Sequence, residues 1–273
     1  MISGVEPARS GRTAAFFDLD KTIIAKSSTL AFSRSFYQGG LINRRSVLRS
    51  AYSQFVFLAG GADHDQMQRM RDYLSALCAG WDVQTVKDIV ADTLHNIVDP
   101  LVYDEAVGLI EEHQAAGRDV VIVSSSGSEV VEPIGEMLGA DRVIATRMVI
   151  EDGRYTGEIE FYAYAEEKAI AIRELAEREG YELADCYGYS DSATDGPMLE
   201  AVGHPVAVNP DRALRRLAAE RHWPIVVFSK PVTLRTRTMD ANRSTLAAVA
   251  IGAGVAAAGA VVLASRLRER RAT

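Results

Sequence analysis

The run Ala14-Ala15-Phe16-Phe17, followed by Asp18-Leu19-Asp20-Lys21-Thr22, constrains this chain more than any other stretch. Four apolar residues in succession suit a short strand buried on both faces, as in a parallel sheet covered by helices. Side chains alternate along a strand, so Asp18 and Asp20 are expected to project the same way, off its carboxyl end. In open α/β sheets that end is where ligands bind. Two carboxylates held together repel unless a cation sits between them or one keeps its proton. Taken alone, the same letters also fit an acidic strand end followed by a threonine turn.

The rest of the chain supplies the company such a strand needs. Up to about Gly117 the pattern is helical: residues 30–37, 41–58, 64–78, 83–98 and 102–116 place apolar side chains three and four apart. Gly39-Gly40, Gly60-Gly61, Gly80 and Pro100 punctuate them. No strand signal interrupts, so these helices read as an insert after the first strand. Strands and helices then alternate: strands at 120–123, 142–145, 186–189, 205–208 and 225–228, helices at 128–138, 166–178, 196–201 and 211–221. That alternation predicts an α/β fold, a Rossmann-like parallel sheet with helices on both faces. Residues 148–162 alternate around Asp152-Gly153 and read as a hairpin on the rim.

Three more polar groups fall at strand ends or helix starts. Ser124 closes the run Val120-Val121-Ile122-Val123, Lys168 stands in the first turn of helix 166–178, and Asp191 and Asp195 follow Tyr187-Gly188-Tyr189-Ser190. The order D-x-D-x-T, Ser, Lys, D-x-x-x-D resembles the haloacid dehalogenase superfamily, and within it the phosphoserine-phosphatase-like branch. The resemblance covers residues 13 to 228. It implies a core of 13–24 and 117–228 with an all-helical cap of 25–116 after the first strand. It implies a phosphomonoester hydrolase: Asp18 is the nucleophile that forms an aspartyl-phosphate, and Asp20 the acid and base. Lys168 is the catalytic cation and, with Thr22, Ser124 and Ser125, contacts the phosphate, aided by the amides opening helix 128–138. Mg²⁺ is implied as cofactor, held by the Asp18 carboxylate, the Asp20 backbone carbonyl and Asp191, with Asp195 in support. An acid at position 20 favours rapid turnover over a long-lived phosphoenzyme.

The chain also departs from its relatives. Ser27 stands where phosphoserine phosphatases carry a glutamate that holds the substrate's amino group, and Ser125 and Ser126 replace the usual glycines. A serine cannot supply the missing charge, so phosphoserine is expected to be a poorer substrate than simple alkyl phosphates.

Composition narrows the alternatives. At 48% hydrophobic and 25% charged residues the chain is that of an ordinary globular protein. Cys78 and Cys186 are far apart and fit no metal or redox spacing, and the five histidines show no ligand spacing. Residues 211–273 carry 12 Lys/Arg against 4 Asp/Glu, whereas the first 210 carry 18 against 33. A nucleic-acid partner is therefore not expected, since the folded part is acidic. Residues 1–12 are expected to be disordered, and they lack the apolar core of a secretion signal, so the N-terminus should stay in the cytosol. Residues 229–245 read as a linker, and 246–264 have no charged side chain and about the length of a membrane helix. With the basic tail 265–273 behind it, this stretch is expected to hold the protein at the cytoplasmic side of a membrane, spanning it or lying on it. The main expectation is a small soluble phosphate ester as substrate. A lipid or lysolipid phosphate, suggested by the tail and the apolar residues 51–58, is the alternative. A regulatory protein that uses the fold for binding at the membrane is a third reading.

Overall fold

The computed structural model describes residues 11–42 and 75–229. Residues 1–10, most of the helices expected at 41–58 and 64–78, the linker beyond Ser229, the stretch 246–264 and the basic tail lie outside these residues. Among the described residues no helix is long and apolar enough to cross a membrane.

Seven strands form one sheet in the order β4-β3-β2-β1-β5-β6-β7. They are β1 (Ala14–Asp18), β2 (Asp119–Gly127), β3 (Arg142–Glu151), β4 (Arg154–Phe161), β5 (Tyr187–Ser190), β6 (His204–Val208) and β7 (Ile225–Val226). All pairings are parallel except β3 with β4. The helices are α1 (Ser28–Gln38), α2 (Val83–Val98), α3 (Asp104–Ala115), α4 (Ser128–Leu138), α5 (Glu166–Glu179), α6 (Gly196–Glu200) and α7 (Arg212–Arg221). The α/β core with a helical insert after β1 is the architecture the sequence predicts.

β1 is the central strand, and every residue in it is buried. On one face Ala14 and Phe16 pack with Val121 and Val123 under Ile172, Leu175 and Ala176 of α5 and Met198 and Leu199 of α6. On the other, Phe17 stacks on Tyr189 at 4.4 Å between ring centroids and meets the edge of His113 at 5.9 Å. Burying each phenylalanine contributes roughly 2–3 kcal/mol, which explains why the run shows no polar alternation. The chain leaves β1 toward β2 on one side and returns as β5 on the other, so a crevice opens at the carboxyl ends of β1 and β5.

The insert is narrower than its helical pattern suggests. Its two ends meet in a neck where Ile24 bridges Val102, Ala25 N–H donates to the Leu101 carbonyl (2.8 Å) and Tyr103 N–H to that of Ile23 (2.9 Å). α3, placed by the sequence in the cap segment 25–116, lies beyond this neck and packs on β2. Its His113 is buried and hydrogen-bonds through Nε2 to the Tyr189 hydroxyl at 2.8 Å. Burial, helped by the Arg118 guanidinium, lowers the His113 pKa to about 4, so this histidine is a neutral core residue.

β3 continues past its pairing with β2 into a hairpin with β4, and Asp152 (φ 49°) and Gly153 (φ 75°) make the turn. Two left-handed residues in succession are what a tight hairpin of matching twist requires. The hairpin holds the insert: Gly80 N–H donates to the Tyr155 carbonyl (2.8 Å), Tyr155 N–H to Trp81 (3.1 Å) and Val83 N–H to Gly153 (3.0 Å). α2 starts from this contact, with the Asp82 carboxylate accepting from Thr85 N–H.

At the opposite end of the sheet, Gly203 passes so close to the backbone of residue 184 that an added Cβ would sit 1.6 Å from the Ala184 carbonyl oxygen. A backbone neighbour cannot swing aside as a side chain can. Gly203→Ala is therefore expected to cost about 3 kcal/mol or more, read as a lowered midpoint in urea unfolding at unchanged slope.

Candidate active site

Asp18 is the last residue of β1, and the chain turns at once, with Lys21 in the left-handed region (φ 65°). The turn brings Thr22 back over the strand end, where its buried hydroxyl donates to Asp18 Oδ2 at 3.2 Å. In this structure the Thr22 hydroxyl proton is directed to Asp18, the nucleophile candidate. Asp20 stands in the turn and not on the strand. Its Oδ1 accepts the Ser28 N–H at 2.8 Å and its Oδ2 the Ser126 hydroxyl at 3.1 Å.

Lys168, in the first turn of α5, is nearly inaccessible to solvent. Its Nζ donates to Asp18 Oδ1 at 2.7 Å and to Asp195 Oδ2 at 2.9 Å. Ser190, at the end of β5, donates to the same Asp195 oxygen at 2.7 Å. Burial works against the Lys168 ammonium, but the two carboxylates outweigh it and raise its pKa above the ordinary lysine value. Asp18 is moved the other way from a typical ion-paired acid. Burial, with the negative charges of Asp195, Asp191 and Asp20, outweighs the pull of Lys168 and holds it well above the usual carboxylate range. Asp191 is also pushed up, to about 6, first by burial. The Lys21 ammonium reaches to 4.0 Å from it on the exposed side.

Ser124 is buried at the end of the straight part of β2, and its Oγ accepts the Ser126 N–H at 3.2 Å, leaving its own proton to donate. The β2–β3 register slips between Ser124 and Gly127. This bulge turns the Ser125 side chain to solvent while the Thr146 hydroxyl holds its carbonyl at 2.8 Å. The structure therefore brings Asp18, Asp20, Thr22, Asp191, Asp195 and Lys168 into one charged network, with Ser124 at its edge. Ser28, Ser126 and Ser190 belong to the same network, though the sequence reading assigned them no role there. Only the placement of Ser190 beside Asp191 hinted at one of them.

Residues 15–200 match the haloacid dehalogenase-like hydrolases, a span that takes in every charged group of this network. The chain belongs to that family. It is 68% identical to the "Inhibition of morphological differentiation protein" of Streptomyces azureus, over 98% of this chain and 99% of that one. It is 60% identical to a "Probable phosphatase" of Mycobacterium tuberculosis, covering 94% and 90%. A phosphoserine phosphatase of the same organism is 34% identical over 94% and 82%. Among solved structures, a protein of unknown function from Bordetella pertussis Tohama I superposes with a TM-score of 0.71 at 28% identity, covering 80% of this chain and 99% of that one. The chain is a phosphomonoester hydrolase of this family, related to phosphoserine phosphatases.

Among the described residues no three acidic, histidine or cysteine side chains gather as a metal cage. The donor set expected here is different: two carboxylates, Asp18 and Asp191, and one backbone carbonyl. These are hard oxygen donors, which suit Mg²⁺ with its retained waters. Four carboxyl groups, Asp18, Asp20, Asp191 and Asp195, gather here around one buried ammonium, Lys168, with Lys21 on the exposed side, so negative groups outnumber positive ones. The residues fit a divalent cation. A carboxyl whose folded pKa is raised keeps its proton longer in the folded state, so its contribution is present at low pH and is lost as pH rises through that value. A bound cation favours the ionised form and offsets the loss. Mg²⁺ is accordingly expected to raise the melting temperature more at pH 8 than at pH 5, measured by parallel thermal melts with and without chelator.

Proposed function

We propose that the protein hydrolyses small phosphate monoesters in a Mg²⁺-dependent reaction through a phosphoryl group carried on Asp18. The observation that carries this reading is the Lys168 ammonium held between Asp18 and Asp195 at the floor of the crevice. A phosphate ester repels nucleophiles because it is itself negative, so a carboxylate attacks it only where positive charge is already in place. Mg²⁺, when bound, would supply the second share of that charge.

The side chains divide the remaining work. Thr22 fixes one oxygen of Asp18 and Lys168 the other, so the carboxylate is oriented before substrate arrives. Asp195 and Ser190 keep Lys168 from swinging away. The free proton of Ser124 is available to a phosphate oxygen. Asp20 gives a proton to the departing alcohol oxygen and later takes one from the water that releases phosphate. The oxygen of that water bonds to phosphorus as the Asp18 oxygen–phosphorus bond breaks, which frees inorganic phosphate and returns Asp18 as a carboxylate and Asp20 as an acid.

Asp18→Asn is expected to lower turnover of an aryl phosphate by at least about 10³-fold while leaving the melting profile of a folded protein. Asp20→Asn should slow alkyl esters more than aryl ones, because a good leaving group departs without the proton. Steady-state rates on both ester types check this. An Asp18→Asn protein with half of wild-type turnover would remove the nucleophile assignment.

A further inference from the structure

Ser126, one departure from the family pattern, meets in space Ser28, the residue that follows another departure, Ser27. The segment Ser27-Ser28-Thr29 begins the insert, and Ser126 follows the motif serine of β2. The Ser28 hydroxyl donates to Ser126 Oγ at 2.8 Å, and the Ser126 hydroxyl donates to Asp20 Oδ2 at 3.1 Å. Thr29 Oγ1 lies 3.1 Å from the same Ser126 oxygen. Ser28 also holds the other Asp20 oxygen through its backbone N–H at 2.8 Å. Ser28 and Ser126 are buried, so water does not substitute for either hydroxyl.

We infer that Ser126, backed by Ser28, is a positioning residue for Asp20, so that the start of the insert sets the orientation of the acid. This deepens the phosphatase reading and rests on it. A glycine at position 126 would have no hydroxyl to offer. With Ser126 in place the donors run in one direction, Ser28 to Ser126 to Asp20, and each hydroxyl that accepts a bond donates more strongly. Both oxygens of Asp20 are thereby fixed by groups from two separate parts of the chain: α1 of the insert and β2 of the core. A carboxyl so held needs no search to meet the leaving oxygen, whereas a free one loses most of its encounters to other rotamers.

The consequence is selective. Proton donation matters in proportion to how badly the leaving group needs it, so loss of orientation should show on alkyl esters before aryl ones. The test is a series of phosphate monoesters of rising leaving-group pKa, from nitrophenyl through phenyl to ethyl, assayed on the Mg²⁺-loaded full chain. For Ser126→Ala the ratio of ethyl to nitrophenyl turnover should fall about tenfold, mainly in kcat, steepening the dependence on leaving-group pKa. Ser28→Ala keeps the Ser126 bond and loses only its support, so its ratio should fall by about threefold, and it carries the test if Ser126→Ala does not fold. An unchanged ratio in the folded variants, or equal losses on all esters, would overturn the inference and leave the hydroxyls a structural role. If wild type hydrolyses none of the esters, the phosphatase reading itself has failed.

Discussion

The Lys168 ammonium is buried between two carboxylates, and that arrangement makes demands on the whole molecule. A charge taken out of water costs several kcal/mol unless its partners are close and hydrogen-bonded. Asp18 comes from the end of β1, Asp195 from the turn after β5, and Lys168 from the first turn of α5. These three meet only because β1 and β5 are parallel neighbours in register, with Phe17 opposite Tyr189, and because α5 packs across the face carrying Phe16. The apolar core thus fixes the charged site. Removing the lysine would take away the ammonium between two buried acids, leaving them only the hydroxyls of Thr22 and Ser190 among these partners.

The same logic orders the second half of the site. Asp20 leaves the strand in a turn, and its surroundings are built jointly by the start of the insert, through the Ser28 N–H, and by β2, through the Ser126 hydroxyl. The neck at Ile24 and Val102 and the hairpin contacts to residues 80–83 hold the insert from two sides. That double attachment lets α1 present the Ser28 amide to a carboxylate on the core. Asp18 is thus positioned by strand packing, whereas Asp20 is held jointly by the insert and β2.

Much of this was legible before the fold was in view. β1, α2 and α4 were recognisable because apolar periodicity and glycine or acidic boundaries agreed, and the charged groups stood out because each closed an apolar run. That α3 packs on β2 could not be read from its pattern, because an amphipathic helix that covers a sheet and one that lies in a cap bury the same stripe. Only the partner differs, and the neck that decides it is a backbone contact with no side-chain signature. Strand periodicity does not carry through to Asp20, because β1 ends at Asp18 and Asp20 stands in the turn through Lys21. The hydrogen bond from Thr22 to Asp18 depends on the same turn and has no sequence signature. Ser125 was carried outward by a bulge that no periodicity reveals. The hydroxyl pair Ser28 and Ser126 joins residues 98 positions apart, a distance no local pattern spans.

The central claim is that phosphate is transferred to Asp18 before it reaches water. Asp20→Asn with nitrophenyl phosphate is the direct way to see it, because that ester needs no proton to leave while the second step still lacks its base. Acid quenching within the first turnover, followed by mass analysis of the peptide containing residues 14–21, should show phosphate on Asp18 approaching one equivalent per enzyme, with nitrophenol released to match. Release of nitrophenol and inorganic phosphate together, with no phosphorylated peptide at any quench time, would contradict the account.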